Sequence, residues 1–160
     1  MIEGLEKFSI FQGLEPQELD VIAKLCKRSK LTKGETIFQI GEPAHSLFLV
    51  CGGKIELRFN VTSHNATAEI PLDIKVPGDA FGWSAIIPPY KYTLSAYATE
   101  DSDLLQIDRD DIQSFCEANT HLGYKFMKNT ARVIGERFEA SQEMLVKEIQ
   151  HSLKHNDSLA

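Results

Sequence analysis

Between Gly34 and Asp108 the sequence keeps breaking into short runs, each cut off by a glycine or proline turn. Thr36–Gln39, Ser46–Cys51 and Lys54–Phe59 come first, separated by Gly41-Glu42-Pro43 and Gly52-Gly53. Ala68–Val76, Tyr92–Ala98 and Leu104–Ile107 follow. Such runs, loosely alternating and bounded by turn residues, read as strands. Many short strands with glycine turns suggest a sandwich or barrel-like β unit. Phe38, Leu47, Leu49, Ile55, Leu57 and Ile107 are expected to supply its alternating inner face. The polar stretch from Val61 to Asn65 suits a hairpin tip.

Helices flank this unit. Leu14-Glu15-Pro16 opens one, with Pro16 in the first turn and acids that favour the helix dipole. Leu19, Ile22, Ala23 and Cys26 mark its apolar face. Asp110–Glu117 reads as a short helix. After Asn119-Thr120 a long helix is expected to run to about Lys154, roughly 50 Å at the usual rise per residue. Met127, Ala131, Ile134, Phe138, Ser141, Leu145 and Ile149 recur on it at spacings of three and four, a stripe close to a heptad. The first half of the helix can lie on the β unit. The second half outruns a domain this small, so its stripe calls for another partner, most simply the same helix of a second copy. The alternative is a core helix that frays after Leu145.

Charge and cysteine content narrow the function classes. Seventeen basic against 23 acidic residues leave a net charge of −6, which gives no electrostatic footprint for nucleic acid. The N-terminus is not a secretory signal, and the longest apolar runs are too short to span a bilayer. Cys26, Cys51 and Cys116 are scattered and odd in number. They read as small buried hydrophobes in a reducing cytoplasm. His45, His64 and His121 are isolated, and His151 and His155 stand four apart near the chain end, so no metal set is formed. No nucleophile motif and no complete phosphate-binding loop is present, and no enzyme is expected.

Several residues carry a family resemblance. Gly34-Glu35-Thr36-Ile37-Phe38, Gln39-Ile40-Gly41-Glu42, Leu47-Phe48-Leu49-Val50 and Gly53-Lys54-Ile55-Glu56-Leu57 are followed by Pro77-Gly78-Asp79 and Phe81-Gly82. In this order, between an N-terminal helix and a long C-terminal one, they resemble the cyclic nucleotide-binding domain. The resemblance covers about Phe8 to Leu145. It implies an eight-stranded β-roll, a jelly-roll relative, with a phosphate-binding cassette after the P-G-D turn and a last helix that serves as lid and dimer seam. The expected organisation is one domain over 1–160: a helical segment 1–33, the β-roll 34–108 with its cassette at 77–96, and helices over 109–160.

The cassette departs from the family pattern. An ungapped comparison places Trp83 where the family's ribose-binding glutamate stands, and Tyr92 where its phosphate-binding arginine stands. Trp83 cannot accept a hydrogen bond from a ribose, because its indole N–H only donates. It stacks on a base or fills the cavity. Losing both side chains removes about 3–6 kcal/mol of binding. Gly82 is either scaffold or part of an anion site, opening a short helix over Trp83–Ile87 whose amides near Ser84 and Ala85 face the ligand. Thr93 is a candidate phosphate partner, and Lys91 a compensating cation. Arg137, on the lid helix, is where contact with a ligand is expected, or else it is a solvated cation or part of an interhelical pair.

The candidate pocket is therefore Phe81, Gly82, Trp83, Ser84, Ala85, Lys91, Tyr92, Thr93 and Arg137. The candidate seam is Met127, Ala131, Ile134, Phe138, Leu145 and Ile149. The expected function is a regulatory sensor with an altered pocket, taking a cyclic nucleotide or another small anion, homodimeric and cytoplasmic, with room for a protein partner. The alternative is a ligand-free dimeric interaction module, and a distant third is a metal-dependent enzyme of the cupin type. The residues at the end of the long helix are too few for a DNA-binding domain of the kind that transcription factors of this type carry, so the chain is expected to be either a stand-alone module or a piece of a longer protein.

Overall fold

The computed structural model describes residues 4–63 and 66–157. Two 3-10 turns, Leu5–Lys7 and Ser9–Phe11, lead into helix α1, Pro16–Ala23. Pro16 suits its first position because an N–H there has no intrahelical acceptor to lose. Glu15 and Glu18 close a reciprocal capping box over that turn, with the Glu15 N–H donating to Glu18 Oε2 at 2.8 Å.

Eight strands follow: β1 Lys27–Leu31, β2 Thr36–Phe38, β3 Ser46–Gly52, β4 Ile55–Ser63, β5 Ala66–Lys75, β6 Ala80–Phe81, β7 Ser95–Ala98 and β8 Ser102–Asp108. They form two four-stranded sheets, ordered β1-β8-β3-β6 and β2-β7-β4-β5, with every pairing antiparallel. This is the expected β-roll. Phe38, Leu47, Leu49, Ile55, Leu57 and Ile107 are all buried, as the alternation predicts. They do not share one face, however. Leu47, Leu49 and Ile107 lie beneath the helices, while Phe38, Ile55 and Leu57 fill the space between the sheets together with Phe48 and Val50. Successive strand residues point to opposite faces, and β3 is covered on both.

β1 has no counterpart in the sequence reading, and it starts the roll at Lys27, ahead of Gly34. Its residues, Lys-Arg-Ser-Lys-Leu, are mostly exposed. The strand is held by an unbroken register with β8, from Lys27↔Gln106 to Leu31↔Ser102, and by the pairs Lys27–Asp108 and Arg28–Asp103. Charged side chains on a sheet edge discourage further pairing. β4 and β5 form a long hairpin paired from Ile55↔Lys75 to Ser63↔Ala66. Val61–Ser63, expected in the loop, belong to β4, and His64 and Asn65 lie outside the described residues. The strand expected from Tyr92 starts at Ser95.

Helix α2 spans Arg109–Ala118 and helix α3 Thr120–Asp157. With 38 residues, α3 is about 57 Å long at the usual rise per residue. Its first turns lie on the N-terminal segment and α2 rather than broadly on the sheets. Leu122, Phe126 and Thr130 are buried there. The Phe126 ring stacks on Phe11 with centroids 6.1 Å apart, and Asn129 Nδ2 donates to Gln12 O at 2.8 Å. From Phe138 to Lys154 every residue is exposed. Of the seam candidates, Met127, Ala131, Phe138, Leu145 and Ile149 are exposed and Ile134 is half-buried. No helix among the described residues is long and apolar enough to cross a membrane.

The three cysteines are free thiols. Burial pushes the Cys26 thiol up to about 12, and Cys116 is half-buried. Cys51 departs from expectation by being exposed: it sits at the register shift between Val50 and Gly52, where β3 leaves the core.

Candidate functional site

The Pro77-Gly78-Asp79 turn is closed by the Asp79 N–H donating to Val76 O at 3.0 Å and the Val76 N–H donating to the Asp79 carboxylate at 2.9 Å. It delivers β6 to β3, with Phe81 opposite Phe48. The chain then turns away at Gly82, whose φ is 84°. A Cβ at Gly82 would lie 2.9 Å from Ser46 O and 3.2 Å from the Phe48 ring. Left-handed backbone and close approach both require glycine here, so its scaffold role is sufficient. Trp83–Ala85 then form one 3-10 turn, shorter than the expected Trp83–Ile87. The Ala85 N–H donates to Gly82 O at 3.0 Å. That amide is consumed by the turn rather than turned to an anion.

A cavity of about 100 Å³ follows, in which Gly82, Trp83, Ser84, Tyr92, Thr93 and Arg137 come together. Phe38, Leu57 and Leu94 complete its apolar wall. Three expected site residues stand apart from it. Phe81 is fully buried and stacks on Phe48, with centroids 5.2 Å apart. Ala85 is buried beneath the turn. Lys91 forms a β-bridge with Pro43 and is exposed.

Tyr92 turns inward and is 6% exposed. Its ring stacks on Phe38 with centroids 3.6 Å apart and planes 6° from parallel. Its hydroxyl donates to Ser46 O at 3.0 Å and accepts the Ser46 N–H at 3.3 Å. Burial pushes the phenol pKa upward and keeps the group neutral. The Tyr92 ring thus belongs to the core between the sheets. Trp83 is half-buried and packs against the core beneath the helices. Its Nε1 is buried with no acceptor among the described residues.

Arg137 reaches from α3 to line the cavity. Its Nη2 lies 2.9 Å from Asp73 Oδ2, and Lys75 Nζ lies 2.9 Å from the same oxygen. Asp73 and Lys75, both on β5, escape the sequence reading. The available signal is their spacing of two, which puts opposite charges on one face of a strand. Arg137 is the only charged residue lining the cavity among the described residues. Ser84 and Thr93 line the same cavity. The volume is well under the roughly 300–1,000 Å³ of drug-sized ligand pockets.

A family model for the cyclic nucleotide-binding domain matches residues 28–119. The cyclic AMP receptor protein of Thermus thermophilus is 32% identical over 102 residues, 64% of this chain and 46% of that protein. The CRP-like cAMP-activated global transcriptional regulator of Mycobacterium tuberculosis is 28% identical over 132 residues, 82% of this chain and 58% of that one. A solved structure from Geobacter metallireducens, named for cyclic nucleotide binding, superposes with a TM-score of 0.72 at 30% identity, covering 86% of this chain and 99% of its own. The chain spans about half the length of the curated relatives it matches.

Proposed function

The chain belongs to the cyclic nucleotide-binding domain family, and from that premise we propose a regulatory module whose cassette no longer reads a ribose and a cyclic phosphate. Tyr92 carries this reading. Stacked on Phe38 and bonded to Ser46, it replaces a fixed cation with a neutral ring and leaves a cavity of about 100 Å³. Trp83 offers no acceptor to a ribose hydroxyl. Ser84, Thr93 and Arg137 suit a small anion. The output is α3, whose exposed stripe from Met127 to Ile149 suits pairing with a second copy, in a regulator rather than an enzyme.

Titration calorimetry with cAMP and cGMP is the direct test. No binding at or below about 1 μM, near −8 kcal/mol, is expected. Tighter binding would overturn the reading. In the double variant Trp83→Glu with Tyr92→Arg, affinity for cyclic nucleotide should rise. A second reading, a ligand-free dimeric interaction module, is favoured by the same Tyr92–Phe38 stack, and a double variant that is folded yet blind to cAMP would select it.

A further inference from the structure

A larger cleft lies on the other side of the cassette loop. It measures about 420 Å³ and opens between the 85–90 segment, α2 and the second turn of α3. Ile86, Ile112 and Met127 give it apolar walls, and Tyr90 and Arg109 line it as well. Its volume falls within the roughly 300–1,000 Å³ of small-molecule sites.

Tyr90 and Arg109 are positioned in an unusual way. Tyr90 is the one non-glycine residue with positive φ, at 59°, among the described residues. For a bulky side chain this conformation is an outlier, and such outliers concentrate at ligand clamps. Backbone bonds pin it from both sides: its N–H donates to Ile87 O at 3.0 Å, and its carbonyl accepts the Ala44 N–H at 2.8 Å. The Arg109 guanidinium lies 5.1 Å from the Tyr90 ring centroid, within cation–π range. Arg109 is steadied from the same segment, with its backbone N–H on His45 O at 2.7 Å and Nη1 on Ala44 O at 3.4 Å. Its neighbouring carboxylate, Asp110, is 3.4 Å away on a side chain 88% exposed, a contact too solvated to neutralise it strongly. Glu117, the carboxylate that lines the cleft, accepts from Gln113 Nε2 at 3.1 Å.

We propose that this cleft is a ligand site separate from the cassette cavity, for a small carboxylic acid with an apolar body. The carboxylate pairs with Arg109, and the body lies against Ile86, Ile112 and Met127. Such a ligand touches the cassette loop and α3 together, so its occupancy bears on both.

Benzoate is the probe, followed by methyl NMR of the full chain labelled at isoleucine and methionine. Saturable shifts are expected at Ile86, Ile112 and Met127. The neutral isostere benzamide should bind about tenfold more weakly or worse, and Arg109→Gln should lose about tenfold for benzoate, the scale of a charge-assisted hydrogen bond. Gln113→Trp, an exposed position facing the cleft, should block binding sterically with the spectrum otherwise intact. It keeps the test decisive if Arg109→Gln fails to fold. Absence of saturable binding would overturn the proposal. So would equal binding of benzamide or full binding to Gln113→Trp.

Discussion

The Arg137 guanidinium of α3 and the Asp73 carboxylate of β5 meet at 2.9 Å, so the long helix is tied by charge to the outermost strand of the second sheet. Lys75 shares the same carboxylate, with its side chain only 10% exposed. Replacing Asp73 by Asn strands the buried Lys75, whereas Arg137→Met leaves Asp73 and Lys75 paired. Asp73→Asn should therefore destabilise the fold by about 1–3 kcal/mol, and Arg137→Met by less. Urea unfolding of both variants checks the order, and a larger loss for Arg137→Met would refute the account.

Three carboxyls sit below the ordinary range. Asp108 is lowered by its bond from Lys27 and then from Gln106, Asp103 by Arg28, and Glu18 by the Glu15 N–H and then Lys125. A depressed folded pKa stabilises above the unfolded value and loses that contribution as pH falls through the folded one. The urea midpoint should hold steady near neutrality and fall below about pH 4, where unfolded carboxyls titrate. Asp108→Asn should lower the midpoint at neutral pH and flatten the acid limb. An acid limb unchanged by that substitution would remove Asp108 from the explanation.

Two glycines separate backbone conformation from space. Gly34 has φ +94° and nothing within 4 Å of a built Cβ; Gly53 has φ +81° and its Cβ would fall 2.4 Å from Asp101 O and 2.6 Å from Ser102 Cα. Gly34→Ala should cost about 1–2 kcal/mol, the left-handed penalty alone. Gly53→Ala should cost a further 1–3 kcal/mol or so from overpacking. Equal melting temperatures for the two variants would contradict this.

For the seam, light scattering at tens of micromolar should return about twice the 18.0 kDa chain mass. Leu145, 60% exposed in the single chain, becomes buried in that arrangement. Leu145→Asp should then give monomers by burying an unpaired charge. A wild-type monomer at that concentration would leave the stripe without this partner.

The long helix was legible because its stripe persists over many turns, and the roll because its turns are marked by glycine and proline. β1 was not, since Lys27-Arg28-Ser29-Lys30 shows no apolar alternation and its order comes from β8 across the sheet. β6, two residues long, is too short for any period to register. Linear comparison singled out Trp83 and Tyr92, which line one cavity. The direction of the Tyr92 ring depends on Phe38 in a neighbouring strand segment and on the Ser46 backbone, contacts 54 and 46 residues away along the chain. Asp73 was hidden for a similar reason, because its partner Arg137 lies on the last helix.

β3 lends Leu47 and Leu49 to the core beneath the helices and Phe48 and Val50 to the one between the sheets. A partition shared in this way ties the melting of either compartment to the loss of the other. The roll and its helical cover should unfold in one cooperative step, with the β3 amides exchanging only through global opening. Repacking around Phe48 beside the cassette would then be felt one residue away, in the core beneath the helices.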